Sequence, residues 1–345
     1  MGIKNTFANL LGSRKFYYAL IVVALMVDLP HYVRSDYIIG HVFTLMIIFA
    51  IYASSWNLLA YSGQGSLGHA AFLGIGGFAS ALLAIKLGVP PIVGIFLGSL
   101  LSAGIGLLIG LACVRLKAWF LAMVTFGFSV IAVTIISQFD AVFGGMIGFQ
   151  TPTFVPLVLP FYYATLAIAS VSIVTIFLVM RSKLGLAFKA IRENELEAKM
   201  IGINTGKYRL LAFVISTFFA GLAGGLYAES ISFIHVSIFE PYYSFLPLIM
   251  AVIGGLGTIE GPIIGSIIIV SIDSFLPNAD KFIQPVLGPL FPAVSNVGPP
   301  LRLIGLGLFL ILVVIFFPKG VSSLLHKAYT YFSEDTSKAK KNEGK

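Results

Sequence analysis

A chain of 345 residues that is 58% hydrophobic and only 10% charged has too few polar side chains to cover a water-soluble globule, where about a quarter of residues are usually charged. Lipid removes that difficulty, because helices satisfy their own backbone groups and an apolar outer surface is favoured there. The formal net charge of +8 sits in short segments between apolar runs, where the positive-inside bias puts basic residues, so it is no argument for nucleic acid.

Taken in order, Lys4, Arg14 and Lys15 precede an apolar stretch from Phe16 to Val27. The pattern is that of a signal peptide, but Asp28-Leu-Pro-His31 follows in place of a small-residue cleavage site, and a retained first helix is expected. Apolar segments of spanning length then recur, and spans are predicted near 16–33, 37–61, 69–87, 91–114, 118–138, 159–180, 210–228, 242–257, 261–276 and 302–318. The expected fold is therefore all-α, a polytopic transmembrane helical bundle of about ten spans with glycine-broken helices. An N-in/C-in topology gives the inner side Arg115, Lys117, the loop from Arg181 to Arg209 and the tail with Lys319, Lys327, Lys338, Lys340, Lys341 and Lys345. The outer side receives Asp28, Asp36, Asp140, Glu229, Glu240 and Asp280, as the positive-inside rule requires. The chain is expected to divide into a cytoplasmic N-terminus (1–15), a transmembrane domain (16–318) with a cytoplasmic loop at 181–209, and a cytoplasmic tail (319–345). The lone Cys113 lies in an apolar run, which leaves no disulfide within the chain and reads as a small buried hydrophobe.

Glycine, rather than charge, interrupts the apolar pattern at two places. One is Ser62-Gly-Gln-Gly-Ser-Leu-Gly-His69 and the other runs from Val252 to Gly265 through Gly254, Gly255 and Gly257. Paired broken segments in the two halves of a transporter point to the substrate path. Ser62, Gly63, Gln64, Gly65, Ser66 and His69 bring hydroxyl, amide and imidazole groups beside bare backbone, which suits a zwitterionic solute. The competing reading is that these glycines pack closely and these side chains satisfy the backbone groups freed by the break. His69 has no second histidine or carboxylate beside it in the motif, so no metal site is expected.

Leu184, Phe188 and Ile191 recur at helical spacing in the loop, with Lys189–Glu193 and Glu195–Lys199 placed for i,i+4 pairs. Such an amphipathic helix suits docking into a partner's groove, or rests on the lipid surface, and one of the two is expected to cover the stripe. Charged residues inside spans are scarce, Asp273 being the main exception, which argues against a proton- or sodium-coupled carrier. No GxSxG, HExxH or Walker A motif is present. No catalytic residue is expected, and any ATP must be bound by another chain.

The run Ser62–Phe72 resembles the signature of branched-chain amino acid ABC transporter permeases. So do Leu184-Gly-Leu-Ala-Phe-Lys-Ala-Ile-Arg-Glu-Asn194, Gly202-Ile-Asn204, Leu210–Ser216, Ala220-Gly-Leu-Ala-Gly-Gly-Leu-Tyr227, Val252–Gly257 and Phe317-Pro-Lys-Gly-Val321. Arg115-Leu-Lys117 before Leu121-Ala-Met-Val-Thr-Phe-Gly127 is closer to the M-type than to the H-type subunit, and Thr125 there joins the expected substrate path. The resemblance implies translocation of branched-chain amino acids or similar small solutes across the cytoplasmic membrane of a prokaryote. It also implies a second homologous permease subunit, two ATP-binding cassette subunits carrying ATP and Mg, and an extracytoplasmic solute-binding protein, with no cofactor in this chain. The loop residues Leu184, Phe188, Ile191, Arg192, Glu193, Glu197 and Gly202 would then couple to the ATPase. This sequence departs from the family pattern at Arg115–Phe120 and at Phe143-Gly-Gly-Met-Ile-Gly-Phe149. The second departure lies on the expected outer side and leaves urea or short amides open as solutes; an autonomous carrier or channel is the rival from another class.

Overall fold

The computed structural model describes residues 25–33, 35–113, 116, 118–151 and 157–275, with short pieces between 307 and 323. Half of the expected first span, most of the tenth, Arg115, Lys117 and nearly all of the tail lie outside the described residues.

In chain order, a π-helical turn at Ile38–Phe43 runs directly into α1 (Thr44–Tyr61). The Thr44 hydroxyl donates to Ile39 O at 2.9 Å and so closes the wide turn. Then come α2 (His69–Leu87), α3 (Pro91–Cys113), α4 (Ala118–Gln138), the short α5 (Asp140–Phe143) and β1 (Phe149–Gln150). They are followed by α6 (Val158–Arg181), α7 (Lys183–Glu193), α8 (Glu195–Met200), α9 (Thr205–Ile231) and β2 (Phe233–Ile234). A 3-10 turn at Val236–Phe239 leads to α10 (Pro241–Gly254) and α11 (Glu260–Phe275).

Six of the described helices are long and apolar enough to cross a membrane: Ile38–Tyr61, α2, α3, α4, α6 and α9. The segments expected at 242–257 and 261–276 form the shorter α10 and α11. Helix α9 starts at Thr205, ahead of the expected 210, because Asn204 caps it by accepting from Lys207 N at 3.1 Å. The ribbon in which Phe149 pairs with Ile234 and Gln150 with Phe233 is an addition to the expected all-α fold.

Helices α1, α2, α3 and α9 build the centre of the bundle. Helix α1 is buried on every side from Met46 to Ala60, so its largely apolar sequence has no wet face to mark. Small residues bring α9 against α2 and α3: a Cβ added to Gly76 would run into the Gly221 backbone. The Ser102 hydroxyl ties the same contact, 2.9 Å from Thr217 O and 3.1 Å from Phe72 O. Close backbone approach with hydrogen-bonding hydroxyls is how helices associate where lipid gives no hydrophobic drive. Large apolar side chains point outward from the periphery, among them Leu108 on α3, Met123 on α4 and Val171 on α6. That arrangement is expensive in water and ordinary in a bilayer.

The loop at 181–209 folds as two helices. Ser182 caps α7, accepting from Leu184 N at 3.1 Å, and Asn194 ends α7 while capping α8, accepting from Leu196 N at 3.0 Å. The stripe expected to need outside cover is covered by the chain itself: Phe188 is 0% and Ile191 3% exposed, with Leu184 half-buried. Helix α7 turns back beneath α6, α9 and α1, and Phe188 meets the Tyr208 ring edge-on with centroids 6.4 Å apart. Amphipathic spacing reports that a face is covered, not by what.

Candidate functional site

The two glycine breaks lie at one end of the bundle, beside α7. The first joins α1 to α2. Its sharp reversal places Gly63 at φ +76, a left-handed conformation that side chains other than glycine's disfavour. Ser62 N and Gly63 N donate to Leu59 O and Ala60 O, each at 3.0 Å, closing the end of α1. Trp56 Nε1 donates to Ser66 O at 2.8 Å, and Leu67 N donates to Thr125 Oγ1 at 3.3 Å. The Gln64 amide donates to Ser62 Oγ and to Arg209 O, both at 2.9 Å. One turn higher, Ser55 Oγ lies 3.0 Å from His69 Nε2, Ser216 Oγ donates to Ser55 O at 2.7 Å, and Ala70 N donates to Ser244 Oγ at 3.3 Å.

Ser62, Gln64, Ser66, His69 and Thr125 are all buried. The bonds of Ser62, Gln64 and Thr125 serve the chain's own backbone and one another, as the close-packing alternative holds. Ser66 Oγ and His69 Nδ1 differ: both are buried with no hydrogen-bond partner among the described residues. Gly65 is half-buried in the same turn, and an added Cβ would meet nothing within 4 Å.

The second break joins α10 to α11 through Gly255, at φ +129, and Gly257, at φ +75. Asn57 on α1 bridges to it: its amide donates to Thr258 O at 2.7 Å and its Oδ1 accepts from Gly257 N at 2.7 Å. Thr258 Oγ1 donates to Gly255 O at 2.7 Å and accepts from Gly261 N at 3.0 Å. Gly320 packs on Gly255, and Val321 N donates to Ile253 O at 2.8 Å. Gly254 itself packs against the Gly261 backbone.

Of the loop residues, Arg192 reaches both breaks. Its Cζ lies 5.3 Å from the Tyr61 ring centroid, and its backbone and guanidinium lie against Gly63 and Gly257 respectively. Glu193 faces solvent with Lys189 at 3.8 Å, Glu197 Oε1 accepts from the Asn194 amide at 2.6 Å, and Gly202 turns the chain after α8 at φ +84. Glu195 lies between Lys199 Nζ at 2.9 Å and Arg209 Nη1 at 3.2 Å. The hydrogen bond from Lys199 holds its carboxyl below the usual range against the opposing effect of burial, and the charge of Arg209 adds to the lowering. The outer surface of this helix pair carries Leu196, Met200 and Ile201, which are 64%, 78% and 74% exposed, among Glu197, Lys199 and Glu193.

Sequence reasoning missed Asn57, Trp56, Arg209, Ser216 and Ser244. Asn57 left a signal, being an amide in an otherwise apolar span one turn before the break, where a buried polar group needs a partner. Asp273, the main charged exception within the expected spans, accepts from the Tyr242 hydroxyl at 2.9 Å.

A family model described as "Branched-chain amino acid transport system / permease component" matches residues 38–314. The chain is 28% identical over 309 residues to the high-affinity branched-chain amino acid transport system permease protein LivM of Salmonella typhimurium, covering 81% of this chain and 72% of that one. It is 28% identical over 278 residues to the LivM protein of Escherichia coli, covering 72% of this chain and 65% of that one. A shorter match, 34% identical over 99 residues, is to the permease protein LivH of Salmonella typhimurium, covering 28% of this chain and 30% of that one. No solved structure matches the chain significantly. With its family match running from the first described span to the C-terminal helical pieces, the chain belongs to the family of permease components of branched-chain amino acid transport systems.

Proposed function

We propose that this protein is the M-type membrane-spanning subunit of an ABC importer that carries branched-chain amino acids into a prokaryotic cell. The observation that carries the reading is the convergence of both glycine breaks, α7 and α8 at one end of an apolar bundle. Moving parts of the transmembrane path there lie next to a surface open to a partner. Ten spans with both termini inside put that end in the cytoplasm, in keeping with the basic residues gathered at 181–209. Exposed Leu196, Met200 and Ile201, with charges between them, form the face on which an ATP-binding subunit docks. The stripe of Leu184, Phe188 and Ile191 anchors that face to the bundle.

A second homologous permease completes the pore, two ATP-binding subunits hold ATP and Mg, and an extracytoplasmic binding protein delivers the solute. The unpartnered Ser66 Oγ and His69 Nδ1 are the groups of the first break left to meet a zwitterion once the helices part. Alternating access follows as the break opens and closes with the ATPase pair.

Reconstitution tests the reading. In proteoliposomes holding the chain with its partner subunits and binding protein, labelled leucine, isoleucine and valine are taken up only with ATP inside reach of the ATPase. The chain alone moves none of them. Uptake by the chain alone means an autonomous carrier or channel, and ATP-driven uptake of urea or acetamide in place of leucine reassigns the solute.

A further inference from the structure

One side chain touches both glycine breaks, although the three segments are distant in sequence. Arg192 is in the last turn of α7. A Cβ built on Gly63 would lie 3.0 Å from Arg192 Cα and 3.4 Å from its Cβ, so the first break rests directly on the α7 backbone. The guanidinium extends past Tyr61 to the second break, where a Cβ on Gly257 would sit only 2.8 Å from Nη1. Arg192 is exposed as a residue, and its guanidinium lies along the surface of the second break where Gly257 presents no side chain.

Three influences favour its position. Tyr61 offers its ring face, with Cζ 5.3 Å from the centroid. Tyr61 is also the last residue of α1, and α10 ends at Gly254, so the cation lies near the carboxyl ends of two helices, whose dipoles attract positive charge. Arg192 makes no ion pair among the described residues, so no carboxylate there competes for it. A lysine would bring the charge without the plane that stacks on Tyr61.

We propose that Arg192 is a positioning residue that clasps the first break, the second break and the end of α7 into one unit, so that displacement of α7–α8 moves both breaks together. The inference rests on the ABC-permease reading and adds to it the residue through which motion passes. Without the clasp, α7 stays anchored by Phe188 and Ile191, but its movement no longer reaches the second break.

The test is the ratio of leucine taken up to ATP hydrolysed by the complete importer in proteoliposomes, with the amount and thermal midpoint of the complex measured alongside. Arg192→Ala should lower the ratio by roughly fivefold or more, the lower end of usual coupling energies, while hydrolysis continues. Arg192→Lys should recover only part of it, and Lys189→Ala, on the same helix but touching neither break, should leave the ratio unchanged. An unchanged ratio in Arg192→Ala overturns the clasp, including the case where less complex survives but each copy couples normally. Full recovery by lysine overturns the stacking geometry. If the unaltered importer shows no ATP-dependent leucine uptake, the ABC-permease reading itself falls, a result separable from normal coupling in both proteins.

Discussion

Two hydrogen bonds from the single side chain of Asn57, to Thr258 O and from Gly257 N, each 2.7 Å, hold the second break against α1. Replacing a buried amide that serves two backbone groups loses about 1 kcal/mol per bond, and more where the freed groups find no water. Asn57→Ala is therefore expected to lower the stability of the purified chain by about 2 kcal/mol, read as a lower thermal midpoint, and to raise protease cutting between Gly255 and Glu260. A midpoint equal to the parent's means that Thr258 and Gly261 close this turn unaided. At this scale the sequence was informative about which residues are special and poor about their partners. Ser62, Gln64 and His69 stand out as polar groups beside glycine, yet the carbonyl that Gln64 meets belongs to Arg209, and the seat of Arg192 is made by Gly257. Such pairs depend on the register of segments far apart in the chain, and spacing within a motif holds no record of it.

Elements were legible where composition changes sharply. The ends of α1 and α2 fall where glycine and serine replace the apolar run. The start of α9 was hidden because its first turn, Thr205-Gly-Lys-Tyr208, is polar and only the cap at Asn204 marks it. The ribbon of Phe149–Gln150 with Phe233–Ile234 is too short for any alternation to show. Helix α7 was readable as amphipathic, but the identity of its cover was not, and the cover decides the effect of mutation. Because Phe188 is fully buried, Phe188→Ala is expected to cost about 3–5 kcal/mol, and Phe188→Asp to remove the protein from the membrane fraction. Met200→Asp and Leu196→Asp alter side chains already in contact with solvent, so the chain accumulates normally while its ATP-binding subunit no longer co-purifies. Normal co-purification with both variants would put the partner on another surface, or put these side chains in the lipid headgroups.

The molecule as a whole has an apolar flank and two unlike ends. Helices α3, α4 and α6 show apolar side chains outward, as a surrounding bilayer favours. One end carries the breaks, Arg192 and the α7–α8 surface; the other carries α5, the ribbon and the start of α10. Composition alone indicated the membrane, because no other solvent tolerates so apolar a surface. Which end faces the ATPase rests on charge asymmetry, and that is the step most directly open to measurement. Single cysteines at Met200 and at Ile147, which are 78% and 84% exposed, are introduced with Cys113 replaced by serine and treated with an impermeant thiol reagent. The account predicts that Ile147→Cys reacts in intact cells, while Met200→Cys reacts only in inside-out vesicles and is shielded there when the ATP-binding subunit is present. Reaction of Met200→Cys from the outside of intact cells would contradict it.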